Sequence, residues 1–214
     1  MDIIWYGQAC FKLKTKEVAV LCDPYDFSIG IKPDKAWEAD IVTISHNHYD
    51  HNNIQAVLGN PFVIDSPGEY EIKGISIFGF QAFHDNKKGL ERGQNTIFVF
   101  DIEGIRVAHL GDLGHSLSEE ILEQMNGIDI LLVPVGGVYT LSLKEVLEII
   151  SDIEPKIIIP MHYKVPGLNL DIRSLDEFAK EVGLTGKEAI DKLSINKKTL
   201  PEEEEIIILK PRIK

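Results

Sequence analysis

Residues 44–53, with the sequence ISHNHYDHNN, contain four side chains of metal-ligand type within six positions: His46, His48, Asp50 and His51. The whole chain has 7 histidines, and this stretch holds three of them. Imidazole and carboxylate groups at such spacing bind divalent transition metals, and the pattern H-x-H-x-D-H seldom arises by chance. The stretch therefore predicts a metal site, provided that further ligands come from other parts of the chain.

Three more residues are candidate ligands because they follow predicted strands. His84 ends ISIFGFQAF, Asp112 comes just after IRVAHLG, and His162 follows KIIIPM. The ends of strands are the usual place for sites in layered α/β proteins, since the loops there bring distant parts of the chain together. We expect these three residues to join the cluster at 46–51.

The order of the residues indicates two neighbouring metal positions. His46 and His48 follow the predicted strand ADIVTIS, and side chains at i and i+2 of an extended chain point the same way. Asp50 and His51 come after a turn and can face a second point nearby. The five histidines and two aspartates of the set exceed the needs of one tetrahedral ion. Two ions about 4 Å apart would use them all.

The ligand types indicate the metal and the reaction. Nitrogen and oxygen ligands without thiolates favour Zn²⁺, with Mn²⁺, Fe²⁺ or Ni²⁺ as alternatives. Two such ions lower the pKa of a water molecule held between them and stabilise the oxygen of the bond being broken, which is hydrolysis. Asp50 could also take or relay a proton. The expected cofactors are two divalent metal ions, and the expected partner is a small-molecule substrate.

Other polar residues near the predicted site have open roles. His115 lies three residues past Asp112 and could protonate a leaving group or contact a substrate phosphate, or could be a loop histidine with a structural hydrogen bond. His109 is expected to serve packing. Gly136 and Gly137 could direct backbone amides toward an anion or form a tight turn. Three further residues are left open as substrate contacts: Tyr49, Tyr139 and Lys164. Asn95 shows no pattern that assigns it a role.

Strands and helices must position these residues, and their periodicity can be followed along the chain. The predicted strands are 2–6, 10–14, 17–22, 39–45, 61–65, 69–72, 75–83, 95–102, 105–111, 129–135, 156–161 and 206–210. The predicted helices are 52–59, 116–125, 142–150, 174–182 and 186–193. Such a mixture predicts a layered α/β fold in one domain over residues 1–214, with helices on the outer faces. It does not give the strand order.

Local signals mark several boundaries of these elements. Glu103-Gly104 predicts a hairpin between two strands. Capping boxes, in which a hydroxyl and a glutamate three residues later satisfy free amides, predict four helix starts. Their pairs are Ser116 with Glu119, Ser142 with Glu145, Ser174 with Glu177, and Thr185 with Glu188.

Composition limits the partners. The chain of 214 residues is 44% hydrophobic and 26% charged, with a formal net charge of −12, which argues against long polyanions such as nucleic acids. The start MDIIWYGQACF lacks the features of a signal peptide, and no apolar run reaches membrane-spanning length. Cys10 and Cys22 are expected as buried free thiols. We expect a cytoplasmic protein that does not bind membranes, and leave a homo-oligomer open.

Taken together, these motifs resemble the metallo-β-lactamase fold superfamily over nearly the whole chain. The core motif appears as HNHYDH, and LCDPY, AFHD, HLGDLGH and PMHY follow the family's order. The resemblance implies a four-layer αβ/βα sandwich with the metals at one edge. By the resemblance, the first metal site would consist of His46, His48 and His84, and the second of Asp50, His51 and His162. Asp112 would bridge the two ions, and Asp23 would orient the site through hydrogen bonds.

Within the superfamily, YGQACF, CDPYD, PVGGVYTL and PMHYKVP resemble a branch of metal-dependent hydrolases that includes the ascorbate-6-phosphate lactonase. Gln8 departs from that branch, since relatives often carry histidine there in a GHxxF motif. His48 lies where the di-iron oxygen-reducing branch typically has glutamate, which argues against that chemistry.

Three functions follow for testing. The leading one is hydrolysis, at a dinuclear site, of a small lactone, ester or phosphoester that could itself be phosphorylated. An alternative is a phosphodiesterase or nuclease acting on nucleotides or RNA. Another is a metal-binding or regulatory module without turnover, although every ligand of the motif set is present.

Overall fold

The computed structural model describes residues 1–184 and 186–214, which form two mixed β-sheets with a few helices. The strands, numbered along the chain, are β1 Asp2–Trp5, β2 Phe11–Lys14, β3 Ala19–Cys22, β4 Trp37–Glu38, β5 Ile41–Thr43, β6 Val57–Leu58, β7 Phe62–Ile64, β8 Gly68–Ile72, β9 Ile75–Phe83, β10 Gln94–Ile102, β11 Ile105–His109, β12 Ile130–Pro134, β13 Ile157–Met161, β14 Leu193–Ser194 and β15 Glu205–Ile206. The amino-terminal sheet has the order β14-β1-β2-β3-β5-β7, and the carboxy-terminal sheet has the order β15-β13-β12-β11-β10-β9-β8. Strands β4 and β6 form a separate pair.

The helices of the described chain are short. They are α1 Glu119–Gln124, α2 Leu143–Ile153 and α3 Asp176–Glu181, with 3₁₀ turns at Phe27–Ile29, Ile54–Ala56 and Lys197–Thr199. None of these helices has the length and apolar character that a membrane span requires. Residues 1–118, all of them described, contain no α-helix, so the helical layers are thinner than the sequence predicts.

The core lies between the two sheets. Trp5 and Phe11 are partners in the register of β1 and β2 and are fully buried, whereas the alternate pair, Ile4 and Lys12, is on the other face and partly exposed. Strands β12 and β13 are buried along their whole length, as is typical of parallel strands covered on both faces. Helix α2 contacts β12 and buries Val146, Ile149 and Ile150, which share one helical face. The predicted α/β sandwich is confirmed.

Two predicted helices are wrong because hydrogen bonds to distant segments of the chain determine the backbone there instead. At 52–59 the structure has only the 3₁₀ turn, followed by β6; the side chain of Asn53 makes no cap, and its N–H bonds Pro24 O at 2.7 Å. At 186–193 the structure has a bridge and then β14. Ile190 N–H donates to Ile208 O at 2.9 Å, and β14 pairs with β1. Periodicity alone does not separate a short helix from such edge segments.

One predicted capping box is confirmed, that of Ser142 and Glu145 at the start of α2. Helix α1 is capped by Ser118 rather than Ser116, because the chain becomes helical two residues later. Helix α3 begins after Leu175 without a side-chain cap, so the box of Ser174 with Glu177 is wrong. Thr185 lies outside the described residues, and its predicted box with it. The hairpin at 103–104 is confirmed, with Ile102 and Ile105 paired across the turn.

The strand directions explain why one edge of the molecule collects the candidate ligands. Strands β3 and β5 are parallel, and so are β11, β12 and β13. Strand β9 runs the same way as β11, because both are antiparallel to β10. The carboxyl ends of β3 and β5 therefore lie at one edge of the first sheet, and those of β9, β11 and β13 at one edge of the second. The predicted ligands follow β5, β9, β11 and β13, and Asp23, predicted to orient the site, follows β3.

Candidate metal centre

The first predicted ligand group meets where β5 and β9 end. His46, His48 and His84 offer ligand atoms that all lie within 4.8 Å of one another. Nε2 of His46 is 3.0 Å from Nδ1 of His48, so two ring nitrogens face each other at short range. His84 is buried, and His48 is the more exposed member.

The second predicted group forms beside it. Asp50, His51 and His162 also offer ligand atoms within 4.8 Å of one another. Nε2 of His51 is 3.5 Å from Oδ2 of Asp50. Both histidines are almost completely buried, and Asp50 is 8% exposed, so the group is shielded but reachable.

Asp112 lies between the two groups. Its Oδ2 is 3.2 Å from Nε2 of His84, 3.2 Å from Nε2 of His162 and 3.3 Å from Nε2 of His51. Burial raises the pKa of Asp112, but His162 and His51 outweigh it and hold the pKa well below its usual range. One ionised carboxylate therefore contacts nitrogens from both groups, as the resemblance implies for a bridging ligand.

This arrangement fits a bound metal. Tetrahedral coordination with bonds of ~2.0–2.1 Å places ligand atoms ~3.3 Å apart, which is the spacing seen here. Nε2 of His51 and Oδ1 of Asp112 are buried without a hydrogen-bond partner in the described chain, although such atoms are normally satisfied. The cluster can therefore hold metal.

The electrostatics of the cluster also favour a cation. Burial alone would lower the pKa of His51, but Asp112, Asp50 and Asp23 raise it well above its usual range. Burial and the neighbouring His51 lower the pKa of His46 to about 3, so this ring is neutral, the form that binds metal. The site therefore combines a neutral nitrogen donor with carboxylates that attract positive charge.

Asp23 orients the ligands from behind. Its Oδ2 is 2.9 Å from Nδ1 of His51 and accepts from Ser45 Oγ at 2.6 Å, while its Oδ1 accepts from Ser45 N–H at 2.7 Å. Burial raises the pKa of Asp23, and the hydrogen bond and charge of His51 lower it to a net value below the usual one. The bond to Nδ1 leaves Nε2 of His51 free to face the cluster.

Gln8 belongs to the site, a role that sequence reasoning missed. Its side-chain Nε2 donates to Oδ2 of Asp50 at 2.9 Å, and its backbone carbonyl accepts from the backbone N–H of His162 at 3.1 Å. One residue therefore positions two candidate ligands. The signal was present, because Gln8 occupies the position where relatives often carry histidine.

Asn95 is a second residue that the sequence did not reveal. Its Nδ2 donates to Leu110 O at 2.9 Å, and its Oδ1 accepts from Asp112 N–H at 2.9 Å. The side chain thus fixes the turn that carries Asp112. A Cβ at Gly111 would overlap both Asn95 and Ser45, which explains the glycine before the aspartate.

The two remaining histidines serve the backbone. Nε2 of His109 is 2.8 Å from Ala9 O, and its Nδ1 accepts from Gly111 N–H at 3.2 Å, a structural role. Nε2 of His115 accepts from Phe83 N–H at 3.0 Å, and its Nδ1 is 2.7 Å from Ser116 O. Both ring nitrogens of His115 are occupied, which favours the structural alternative over a role as catalytic acid.

The remaining residues whose roles the sequence leaves open fall into two kinds, those with a structural contact and those exposed near the site. Lys164 donates to Leu170 O at 2.6 Å, and Gly136 approaches His162 so closely that a Cβ would overlap its carbonyl, so this glycine serves packing. Tyr49 is 55% exposed beside the ligands. Desolvation, with smaller contributions from Asp50 and Tyr139, raises its pKa.

Backbone strain collects at this edge. Gln8, Asp23 and His162 have φ values of 51, 45 and 51°, in the left-handed region that non-glycine residues seldom adopt. Each such residue costs ~1–3 kcal/mol and persists only where its surroundings require it. All three are tied to the cluster, which indicates a functional site.

The fold and the site define a protein of the metallo-β-lactamase class, and the family model described as Beta-lactamase superfamily domain matches residues 2–162. A UPF0173 protein of Pyrococcus abyssi is 33% identical over 78% of this chain and 85% of its own length. A UPF0173 metal-dependent hydrolase of Thermoplasma acidophilum is 32% identical over 76% of this chain and 83% of its own length. The chain belongs to the UPF0173 family of the metallo-β-lactamase superfamily.

A solved structure supports the same assignment. The chain is 38% identical to a protein of Thermotoga maritima described as a Zn-dependent hydrolase of the metallo-beta-lactamase superfamily. The alignment covers 97% of each chain, with a TM-score of 0.78.

Proposed function

We propose that this chain is a hydrolase that binds two divalent metal ions, with zinc as the expected metal, and acts on a small lactone, ester or phosphoester. The observation that carries the proposal is the position of Asp112, whose one oxygen lies within 3.3 Å of nitrogens from both ligand groups. The names of the Thermoplasma and Thermotoga relatives support metal-dependent hydrolysis. The ascorbate-6-phosphate lactonase branch motivates including phosphorylated lactones among the substrates.

The residues would divide the work. His46, His48 and His84 would hold one ion, Asp50, His51 and His162 the other, and Asp112 would contact both. The bound ions would supply Lewis-acid stabilisation of negative charge on the substrate oxygen. Asp23 would accept the proton of His51 Nδ1 in a hydrogen bond, which leaves the lone pair of Nε2 directed at the cluster.

Asp50 is the residue placed to handle a proton. Burial raises the pKa of Asp50, but the charge of His51 outweighs this and lowers it well below the usual value, so the carboxylate is ionised at neutral pH. Gln8 fixes its orientation through the 2.9 Å hydrogen bond to Oδ2. An ionised, oriented carboxylate beside the cluster can accept a proton from the attacking water.

The test is a substrate panel with metal removed and restored. The protein is assayed against lactones, carboxylic esters and phosphoesters as purified, after chelation, and after addition of zinc or manganese. The proposal expects turnover that chelation abolishes and metal restores. Turnover that survives complete chelation, or none on any class with metal restored, would contradict it.

A further inference from the structure

A cleft of about 490 Å³ opens beside His84. One wall is the segment 85–92, which follows this ligand directly, and the opposite wall includes 137–142 and Arg173. The lining is mainly polar and carries charges of both signs. Charged groups that already have a protein partner are less available to a ligand than those without one.

The acidic residues of the cleft are engaged elsewhere. The carboxylate of Asp85 accepts four backbone N–H groups at 2.7–2.9 Å, those of Lys87, Gly89, Glu91 and Arg92. Glu145 accepts from the N–H and hydroxyl of Ser142 at the start of α2. Glu91 pairs with Lys87 at 2.5 Å. None of the three needs a bound cation.

The basic residues differ from one another. Arg173 pairs with Glu177 at 2.8 Å, and Lys87 with Glu91, so each has a carboxylate partner. Arg92 is half-buried, and its guanidinium lies 5.6 Å from the centroid of the Tyr139 ring. Within residues 1–184 and 186–214 it contacts this ring and no carboxylate. Among the described residues that line the cleft, Arg92 is therefore the basic side chain without a carboxylate partner.

A second donor lies in the same cleft. Oγ1 of Thr140 is buried and has no hydrogen-bond partner in the described chain. A buried hydroxyl without a partner costs ~1–3 kcal/mol, and rotation of the Thr140 side chain toward the cleft would let a ligand oxygen recover it. The neighbouring Val138 has a φ of 61°, which is rare for a β-branched residue and indicates that this wall is held in a specific shape.

Contacts on both walls of the cleft hold Arg92. Asp85 follows the ligand His84 and binds the N–H of Arg92 at 2.8 Å, while Tyr139 supports the guanidinium from the opposite wall. The loop that carries Arg92 thus begins directly after a candidate ligand, and its backbone is held by the carboxylate of Asp85. Such preorganisation is what a binding group requires.

We propose that this cleft binds an oxyanion group of the substrate, a phosphate or a carboxylate, with Arg92 as the charged donor and Thr140 as the second donor. The inference rests on the proposed function for the reacting end of the molecule. A guanidinium offers two parallel N–H donors that match two oxygens of either anion. The preferred substrate is then an anionic ester or lactone rather than a neutral one.

The test is anion binding to the metal-loaded protein by calorimetry, with inorganic phosphate and acetate as probes. Arg92→Ala should weaken the preferred anion about tenfold or more, and Thr140→Val about threefold, with metal content unchanged. Lys16→Ala, which removes an exposed cation from the β2–β3 turn and gives the same change of net charge, should have no effect. The anion that loses more affinity identifies the group. If phosphate and acetate each bind Arg92→Ala as tightly as they bind the wild type, the proposal is overturned.

Kinetics provide a second readout. Arg92→Ala should raise KM about tenfold for anionic esters. The KM for neutral esters, and kcat for both kinds of ester, should change little. If anion affinity falls in Arg92→Ala but no ester is hydrolysed by the wild type, the subsite stands and the proposed function fails. If esters are hydrolysed and Arg92→Ala changes neither KM nor anion affinity, the function stands and the subsite fails.

Discussion

The two edges of the sheets use the same rare backbone conformation for different reasons. At the edge away from the cluster, Lys73 and Glu103 have φ values of 51 and 54°, and each is followed by a glycine in a two-residue hairpin. At the metal edge, Gln8 and His162 have φ values of 51° and are buried among candidate ligands. Local turn chemistry accounts for the first pair, and contacts between distant segments account for the second. The difference separates what a short stretch of sequence determines from what the assembled site determines.

The largest effect should come from Asp112→Asn. The change removes the charge that contacts both ligand groups, so metal affinity and hydrolysis should fall by more than a hundredfold, beyond the ~10–100-fold typical of residues that only orient ligands. Metal content and turnover are measured together. Asp101→Asn serves as the control. This half-buried acid near the end of β10 lies 3.8 Å from Arg106 and contacts no candidate ligand, so the change should have no such effect.

Gln8→Asn should have the next largest effect. Asparagine tolerates the left-handed conformation but is too short to keep the hydrogen bond to Asp50, so backbone strain and side-chain bonding are separated. We expect metal affinity to fall about 10–100-fold. Metal affinity that is unchanged in Gln8→Asn would mean that only the backbone of this residue matters.

Asp85→Asn should loosen one loop and leave the cluster in place. An amide cannot accept four backbone N–H groups as a carboxylate does. We expect faster hydrogen exchange at Lys87, Gly89, Glu91 and Arg92, with metal content unchanged. Glu91→Gln, which breaks only the exposed pair with Lys87, should leave exchange in this loop nearly as in wild type. Equal exchange in the two variants would remove Asp85 from its assigned role.

Glu103→Asn should have the smallest effect, of opposite sign. Asparagine before glycine suits this hairpin turn, so the free energy of unfolding should rise by ~0.5 kcal/mol. The exposed ion pair of Glu103 with the amino terminus contributes little. Denaturant unfolding gives the stability and mass spectrometry the metal content, which should not change. A loss of metal in Glu103→Asn would contradict the claim that this hairpin edge is independent of the metal edge.

The same distinction explains what could be predicted from the sequence. The seven candidate ligands could be proposed because H-x-H-x-D-H is a local pattern, the other three follow strands, and the family resemblance orders them. Asn95 was missed because its two bonds to the turn at 110–112 exist only once β10 and β11 pair. Helix 186–193 was predicted wrongly for a related reason, since the pairing of β14 with β1 joins opposite ends of the chain.

The measurement that tests the central claim most directly is the number of metal ions per chain, by mass spectrometry of tag-free protein loaded with zinc or manganese. A site in which Asp112 joins two ligand groups predicts two ions in the wild type and one in His162→Ala. Saturation at a single ion in the wild type, or two ions retained in His162→Ala, would contradict the dinuclear centre.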